Sequence, residues 1–176
     1  MRLGVREMPE IVAGAIWYDR RTSNRSKPMS DDLSNAARVA AAYRQWEESL
    51  GADPEPFMAL AAENVEMASV LDPPDLDELA TDHHGLSRMR EYFAAIEQDW
   101  EMIDYPNERV VEQGDTVVWI GRCCWRNRHT GLVINSPKVD IWTFRNGKAV
   151  RFLELFDTLG FARAAGLLPQ LAARFA

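Results

Sequence analysis

The feature that most constrains the fold is a pair of alternating apolar runs in residues 137–161. The runs flank Arg145-Asn146-Gly147, and glycine readily takes the left-handed conformation that closes a three-residue hairpin loop with a bulge. Asp140 lies inside the first run, between Val139 and Ile141. The pattern predicts a β-hairpin followed by a helix, with one carboxylate placed in an otherwise apolar strand.

An acid at this position needs a compensating environment, because burying an unpaired carboxylate costs roughly several kcal/mol. We therefore expect Asp140 to be ion-paired, to be protonated or to face a cavity. A three-residue loop would pair Asp140 with Phe152 and Lys138 with Glu154, and it places Asp140 and Glu154 on one face. A two-residue Asn-Gly turn would place the two acids on opposite faces. We favour the three-residue loop.

The rest of the chain divides into helices first and strands later. Apolar residues at helical spacing predict a helix that begins near Ser34 and ends at Gly51, a short helix after Asp53 and a third helix over 86–100. A strand is expected between the second and third helices, and an acidic, proline-containing loop follows it. After the third helix the apolar period changes to two. This order predicts an α+β fold with helices on one face of a curved antiparallel sheet. The predicted strands cover 65–71, 102–111, 116–128, 132–144 and 148–157.

Composition and charge exclude several classes of protein. The chain has 176 residues and a formal net charge of −7, so nothing favours nucleic acid as a partner. No apolar run approaches the roughly 18 residues of a membrane span. The two cysteines, Cys123 and Cys124, are adjacent in a predicted strand and point to opposite faces, which indicates a reduced, cytoplasmic protein. His83 and His84 have no third ligand at a useful spacing, so we expect no metal site.

The composition shifts near Met29. Residues 1–28 carry six Lys or Arg and three Asp or Glu, and they end in a polar, linker-like stretch. We expect 1–28 to be a tail or a loosely docked extension, and 29–176 to be a single domain. Apolar residues within 1–28 leave open the alternative that this segment packs on the domain edge.

Four motifs together resemble the nuclear transport factor 2-like superfamily. They are Ala42-Tyr43 before a Gly-Ala-Asp break, Ala62-Glu63-Asn64-Val65, His84-Gly85, and the run VDIWTFRNGKAVRFLELFDT that begins at Val139. The resemblance covers about residues 33–166. The superfamily includes ketosteroid isomerases, SnoaL-like polyketide cyclases and limonene epoxide hydrolases. The resemblance implies a cone-shaped sheet packed with three N-terminal helices around one central apolar pocket. It also implies a hydrophobic small-molecule ligand and no cofactor.

The resemblance also implies roles for individual residues. Asp140 aligns with the strand aspartate that ketosteroid isomerases keep protonated as an oxyanion-hole donor, and Tyr43 aligns with a first-helix tyrosine. The isomerases' general base should lie at Ala68-Ser69-Val70, where this chain has no acid. Glu154 matches a catalytic aspartate of limonene epoxide hydrolase, but the hydrolase's Arg-x-Asp meets only Arg122 followed by two cysteines.

Each of the three candidate catalytic residues, Asp140, Tyr43 and Glu154, also has a structural interpretation. Asp140 could pair with Lys138 or Arg122, Glu154 could pair with Lys138, and Tyr43 could be a core tyrosine with a satisfied hydroxyl. Other side chains are expected to contact a ligand: Trp46, Trp142, Phe152 and Phe156 as pocket walls, and His84 at the mouth.

The opposite face of the predicted hairpin carries Val139, Ile141, Leu153 and Leu155 and is too apolar to meet water. We therefore expect a homodimer packed through the outer sheet face.

The sequence favours an isomerase, cyclase or lyase that acts on a hydrophobic carbonyl or cyclic small molecule by proton transfer. One alternative is a binding or accessory module of the same fold without catalysis. A second alternative is an epoxide hydrolase-like enzyme with an incomplete catalytic set.

Overall fold

Helices and one curved sheet are formed by the residues that the computed structural model describes, which are 33–71, 77, 79 and 82–174. The expected N-terminal extension 1–28 and the domain boundary at Met29 lie outside these residues. The expected acidic loop over 72–78 also falls largely outside them. None of the helices in the described ranges is long and apolar enough to cross a membrane.

The first three helices follow the apolar periodicity of the sequence. Ser34 caps the first helix by accepting a hydrogen bond from the backbone N–H of Ala37, and Tyr43 and Trp46 lie on its buried stripe. The third helix begins after Gly85, whose φ of 84° favours glycine. Two further helices follow the sheet. The helices are α1 (Asn35–Glu48), α2 (Glu55–Leu60), α3 (Leu86–Asp99), α4 (Thr158–Ala164) and α5 (Leu168–Arg174).

The strands of the described residues form a single sheet in the order β2-β1-β7-β6-β5-β3, with β4 also paired to β5. Most neighbours are antiparallel, but β1 and β7 are parallel. The prediction of an α+β fold with a curved sheet is confirmed, and the sheet is not closed on itself. The strands are β1 (Ala61–Ser69), β2 (His83–His84), β3 (Trp100–Asp104), β4 (Asn107–Gln113), β5 (Thr116–Asn127), β6 (Val133–Arg145) and β7 (Lys148–Phe156).

The single strand expected over 102–111 is wrong. Two strands, β3 and β4, occupy this stretch, and they pair with different halves of β5. The break falls at Tyr105-Pro106, where proline has no N–H to continue the ladder. The carbonyl of Pro106 instead accepts a hydrogen bond of 3.1 Å from the backbone N–H of Arg122.

The predicted three-residue hairpin loop is also wrong. Arg145 pairs with Lys148, so the turn is the two-residue Asn146-Gly147, with φ values of 51° and 76°. The register then shifts on β7, where Val150 is the extra residue of a bulge between the pairs 144/149 and 143/151.

The bulge restores the face that a plain two-residue turn would have reversed. Asp140 pairs directly with Glu154, rather than with Phe152 as predicted, and Lys138 pairs with Phe156. Cross-strand partners point to the same side of a sheet. Asp140 and Glu154 therefore share the inner face, as expected, although the register that brings them there differs from the predicted one.

Trp119 and Gly121 shape the inner face of β5. The ring of Trp119 is fully buried and covers Gly121, whose missing side chain leaves space for it. A Cβ at position 121 would lie far inside van der Waals contact of the Trp119 ring and of the Pro106 carbonyl oxygen. Position 121 therefore requires glycine for steric reasons.

We expect Gly121→Ala to lower the free energy of unfolding by about 3 kcal/mol, because neither the backbone of Pro106 nor the packed Trp119 ring can easily move away. Gly147→Ala is the matched control. A Cβ there meets nothing within 4 Å, and only the positive φ opposes it, at about 1 kcal/mol. Urea denaturation of both variants measures the difference, and equal losses would contradict the steric argument.

Candidate functional site

A cavity lies between the helices and the inner face of the sheet. It holds about 710 Å³ of empty space, counting the open space at its mouth. Twelve of the 19 residues that line it are aromatic, and they come from α1, α2, α3, the sheet, the turn after β3 and α4. A concave, mostly apolar wall with a few polar groups is typical of a small-molecule site.

The polar part of the wall is a cluster of three charged side chains, Lys138, Asp140 and Glu154, which we call the charged triad. Lys138 Nζ lies 2.9 Å from Asp140 Oδ1 and 2.6 Å from Glu154 Oε2. The three residues are 7%, 1% and 4% exposed. Lys138 and Asp140 are two apart on β6 and Glu154 is the β7 partner of Asp140, so strand alternation brings all three to the cavity side.

Two tyrosines from the helical layer complete the carboxylates' contacts. The Tyr43 hydroxyl on α1 donates a hydrogen bond of 2.6 Å to Asp140 Oδ2 and accepts one of 3.1 Å from Trp142 Nε1. The Tyr92 hydroxyl on α3 donates a hydrogen bond of 2.8 Å to Glu154 Oε1. Each acid therefore lies between a tyrosine and the shared lysine.

One oxygen of the charged triad keeps unused hydrogen-bonding capacity. Asp140 Oδ1 is buried and contacts Lys138 Nζ as an ion pair, but it makes no hydrogen bond with the described residues. Both oxygens of Glu154 accept hydrogen bonds, one from Tyr92 and one from Lys138. A proton on Asp140 would reside on Oδ1, because Oδ2 already accepts from Tyr43.

The environment raises the pKa of Asp140 toward neutral pH. Burial raises its pKa from 3.8 to about 6; the Lys138 ammonium opposes this rise, the Glu154 carboxylate adds to it, and the Tyr43 hydrogen bond opposes it. Burial lowers the pKa of Lys138, but the two carboxylates more than offset that effect and hold it well above its ordinary value. Lys138 is therefore a fixed positive charge, and Asp140 is the group of the pair that can exchange a proton near pH 6.

The neutral hydrogen-bond donors around the cavity stay protonated. Burial, followed by the nearby carboxylates, raises the pKa values of Tyr43 and Tyr92 well above 10. The same causes act on Tyr105, and burial raises the pKa of Cys123 to about 11. The Cys123 thiol therefore lines the cavity as a thiol rather than as a nucleophilic thiolate.

Aromatic packing holds Tyr43 in place. Its ring stacks on Trp119 at a centroid distance of 4.3 Å and meets the edge of Phe57 at 4.9 Å. The Tyr105 ring also stacks on Trp119, at a centroid distance of 5.3 Å. The hydroxyl that contacts Asp140 is thus carried by a ring with little freedom to move.

Most of the residues chosen from the sequence come together in this cavity. Asp140, Tyr43 and Glu154 meet as described above. The expected walls Trp46, Trp142, Phe152 and Phe156 all line the cavity. His84 does not: it is an exposed residue of the short strand β2, paired with Glu66, away from the lining.

The sequence interpretation missed several lining residues, and Lys138 was considered only as an ion-pair partner. Its position two residues before Asp140 in a strand was the available signal. Tyr92 lies beside Phe93 on the stripe of α3, where one more aromatic residue carries no distinctive signal. Other lining residues that were missed are Tyr105, Cys123 and Trp125.

Arg122, in contrast, is not part of the site. It lies on the opposite side of β5 from Cys123 and donates a hydrogen bond to Asn135.

Over 33–71 and 82–174, no group of three or more His, Cys, Asp or Glu residues lies close enough together to hold a metal ion. The charged triad instead combines a fixed cation, two carboxylates and two neutral phenols on one apolar wall. Such a set can donate a hydrogen bond, accept a proton and stabilise developing charge.

Comparison with solved structures shows the same fold. A nuclear transport factor 2-like protein of unknown function from Burkholderia pseudomallei K96243 has a TM-score of 0.66 and 22% identity, covering 76% of this chain and 98% of that one. TerC co-crystallized with polyporic acid has a TM-score of 0.63 and 24% identity, with coverages of 74% and 96%. A protein with a ketosteroid isomerase-like fold from Catenulispora acidiphila DSM 44928, in complex with trimethylamine, has a TM-score of 0.58 and 11% identity, with coverages of 73% and 92%.

No curated protein has significant sequence similarity to this chain. The sequence model of the SnoaL-like domain matches residues 39–152, which include most of the first helix, the charged triad's lysine and aspartate, and most of the sheet. The resemblance found in the sequence is thereby confirmed. The chain belongs to the SnoaL-like domain family of the nuclear transport factor 2-like superfamily.

Proposed function

We propose that this protein is a proton-transfer enzyme, an isomerase, cyclase or lyase, that acts on a hydrophobic carbonyl or cyclic small molecule. The observation that carries the proposal is the charged triad on an aromatic cavity wall. Two carboxylates share one lysine there, and Asp140 has a pKa of about 6. A buried acid with a pKa near neutrality, placed beside a second carboxylate, is typical of general acid–base catalysis.

In this proposal Asp140 is the acid. Its protonated Oδ1 donates a hydrogen bond to the substrate carbonyl oxygen as negative charge develops there, and the Lys138 ammonium 2.9 Å away stabilises the same charge. Tyr43 is a positioning residue, since its hydroxyl is already engaged with Asp140 and Trp142. It acts on the substrate only through Asp140.

Glu154 is the proposed base. It takes a proton from the carbon next to the carbonyl, the C–H electron pair forms a carbon–carbon double bond, and the carbonyl electron pair moves onto oxygen. Where the substrate carries a neighbouring carbon–carbon double bond, the enolate is conjugated, and return of the proton from Glu154 to the far carbon with re-formation of the carbonyl gives the isomer. Where the substrate carries a second carbonyl, attack of the enolate carbon on that carbonyl forms the ring, the first carbonyl re-forms, and the proton on Glu154 passes to the new alkoxide oxygen. Each oxygen of Glu154 accepts one hydrogen bond, from Tyr92 or from Lys138, and keeps a second lone pair that can accept the proton.

The ligands bound to related structures support a binding cavity for small organic molecules. TerC was crystallized with polyporic acid and the Catenulispora protein with trimethylamine. The apolar lining of this cavity favours ligands of similar, mostly hydrophobic character.

A second candidate is a binding module of the same fold that does not turn its ligand over. The observation that favours it is the content of β1 near its end, Ala68-Ser69-Val70, where ketosteroid isomerases carry their base. The engagement of both carboxylates by Lys138 also favours it. The hydrolase alternative has less support, because Arg122 lies on the other side of β5 from the cavity.

We also propose that two copies pair through the outer sheet face. Val139, Ile141, Leu153 and Leu155 form adjacent cross-strand pairs on this face, and each is only partly buried within one chain. A contiguous apolar sheet surface of this kind is stabilised when a second copy removes it from water.

The catalytic proposal is tested with 2-tetralone, a hydrophobic ketone, in D₂O. We expect the protein to accelerate exchange of the protons next to the carbonyl. Glu154→Gln should lower the exchange rate about a hundredfold or more, and Asp140→Asn about tenfold or more. Glu108→Gln, an exposed acid on β4, is the control and should leave the rate unchanged. Ketone binding without any faster exchange than in buffer would favour the binding module instead.

The raised pKa of Asp140 predicts a pH-dependent stability difference. The folded protein holds this proton up to about pH 6 and the unfolded chain only to about 3.8, so the contribution of Asp140 to stability falls as pH rises through that window. The Asp140→Asn variant has no titrating group at this position and therefore lacks this pH-dependent contribution. Its stability relative to wild type should rise by up to about 3 kcal/mol between acidic and alkaline buffer. Urea denaturation of both proteins measures this difference.

Asp115→Asn, in the exposed turn before β5, is the matched control and should show a constant difference across the same pH range. If the stability of Asp140→Asn relative to wild type fell with rising pH, the pKa of Asp140 would be lowered in the folded protein, because the effect of the Lys138 charge on it would exceed the effect of burial. Asp140 would then be an ordinary ion-paired acid, which would count against the catalytic proposal.

For the outer face we expect light scattering to give the mass of a dimer. Ile141→Lys should shift the protein to the monomer mass, because a charge in the apolar contact loses its hydration. Leu159→Lys, at an exposed apolar position on α4 rather than on the sheet, serves as the control and should remain dimeric. A monomeric wild-type protein would exclude this interface.

A further inference from the structure

The charged triad leaves the cavity with an excess of negative charge. When all three groups are ionised, two carboxylates face one ammonium. Lys138 carries the only positive charge among the described lining residues. All three side chains are buried, so water compensates this excess only weakly. The excess must be balanced by a proton or by a positively charged ligand.

The apolar part of the wall provides surfaces that attract such a ligand. Trp46, Trp125 and Tyr105 form a corner of rings: Trp125 lies 6.3 Å from Trp46 and 6.1 Å from Tyr105 between ring centroids, at interplanar angles of 50° and 81°. All three residues line the cavity. A cation near an aromatic face is attracted by the negative quadrupole of the ring, and tryptophan is the strongest of the aromatic side chains in this interaction.

We propose that the cavity selects ligands that carry a tertiary or quaternary ammonium group on a hydrophobic body. The ring corner would hold the alkylated nitrogen, which needs few or no hydrogen bonds. The two carboxylates would provide the compensating charge. This inference rests on the proposed function in that it names the substrate class of the same site; with a cationic substrate bound, the Lys138 ammonium rather than a protonated Asp140 would stabilise the charge on the carbonyl oxygen.

The ligand's charge and the proton on Asp140 then compete. Asp140 is faced by Tyr43 from α1, by Lys138 on its own strand and by Glu154 from β7, while the other titratable groups near the triad are neutral donors. A bound cation disfavours protonation of Asp140, and protonation removes the charge that attracts the cation. Cation affinity should therefore rise with pH. The neutral donors are Tyr92 from α3, Tyr105 from the turn after β3 and Cys123 from β5.

The test compares two ligands of equal shape by isothermal titration calorimetry with the full chain. Choline carries a trimethylammonium group, and 3,3-dimethyl-1-butanol replaces its nitrogen with carbon and has no charge. At about pH 8 we expect choline to bind about tenfold more tightly than the alcohol, and at about pH 5 we expect that preference to fall to threefold or less. Equal affinities at alkaline pH, tighter binding of the alcohol, or no binding of choline would overturn the inference.

Variants that each remove one negative charge distinguish choline binding in the cavity from choline binding at the protein surface. Glu154→Gln removes one carboxylate and should abolish the preference for choline, whereas Glu108→Gln removes one exposed charge and should leave it unchanged. The wild-type comparison stands without either variant, so poor folding of Glu154→Gln does not affect it. Cation preference without faster ketone exchange would reject only the catalytic proposal, and ketone exchange without cation preference would reject only this inference.

Discussion

The contact on which the site depends is the ion pair of Lys138 with two buried acids. Its Nζ lies within 2.9 Å of Asp140 and 2.6 Å of Glu154, and no other cation among the described residues lines the cavity. Removing one partner from such a cluster leaves an uncompensated buried charge, which typically costs about 3–5 kcal/mol. The ion pair stabilises both acids in a buried position, and that burial raises the pKa of Asp140 although the Lys138 ammonium opposes the rise. The excess negative charge of the cavity follows from the presence of two carboxylates beside one ammonium.

The charged triad depends on a β-bulge in β7, which compensates for the register that the two-residue hairpin turn imposes. Asn146-Gly147 closes a two-residue hairpin, which on a regular ladder would turn Glu154 away from Asp140. The bulge at Val150 inserts one residue and returns Glu154 to the inner face. Bulges often redirect side chains at functional sites, and here the redirected side chain is one of the two carboxylates.

Packing on the neighbouring strand β5 positions the hydroxyl that contacts Asp140. Gly121 leaves space for the Trp119 ring, and that ring stacks on Tyr43. A hydrogen bond of 2.6 Å from a tightly packed phenol limits the rotation of the aspartate and leaves its other oxygen with free capacity on the cavity side. The aromatic residues thus support the polar group as well as providing hydrophobic surface.

The sequence by itself determined the α+β class, the three N-terminal helices and the acid in an apolar strand, because periodicity and turn residues are local properties of the chain. It also indicated Asp140, Tyr43 and Glu154 and five ligand contacts, four of which line the cavity. Only the tertiary structure decided the register of the hairpin, since the turn and the bulge compensate each other and neither can be interpreted alone. It also decided that Lys138 bridges both acids and that Tyr92 reaches Glu154, because these contacts join residues 16 and 62 positions apart. The exposed position of His84 and the outward side of Arg122 likewise depend on how strands pair, which spacing along the chain does not encode.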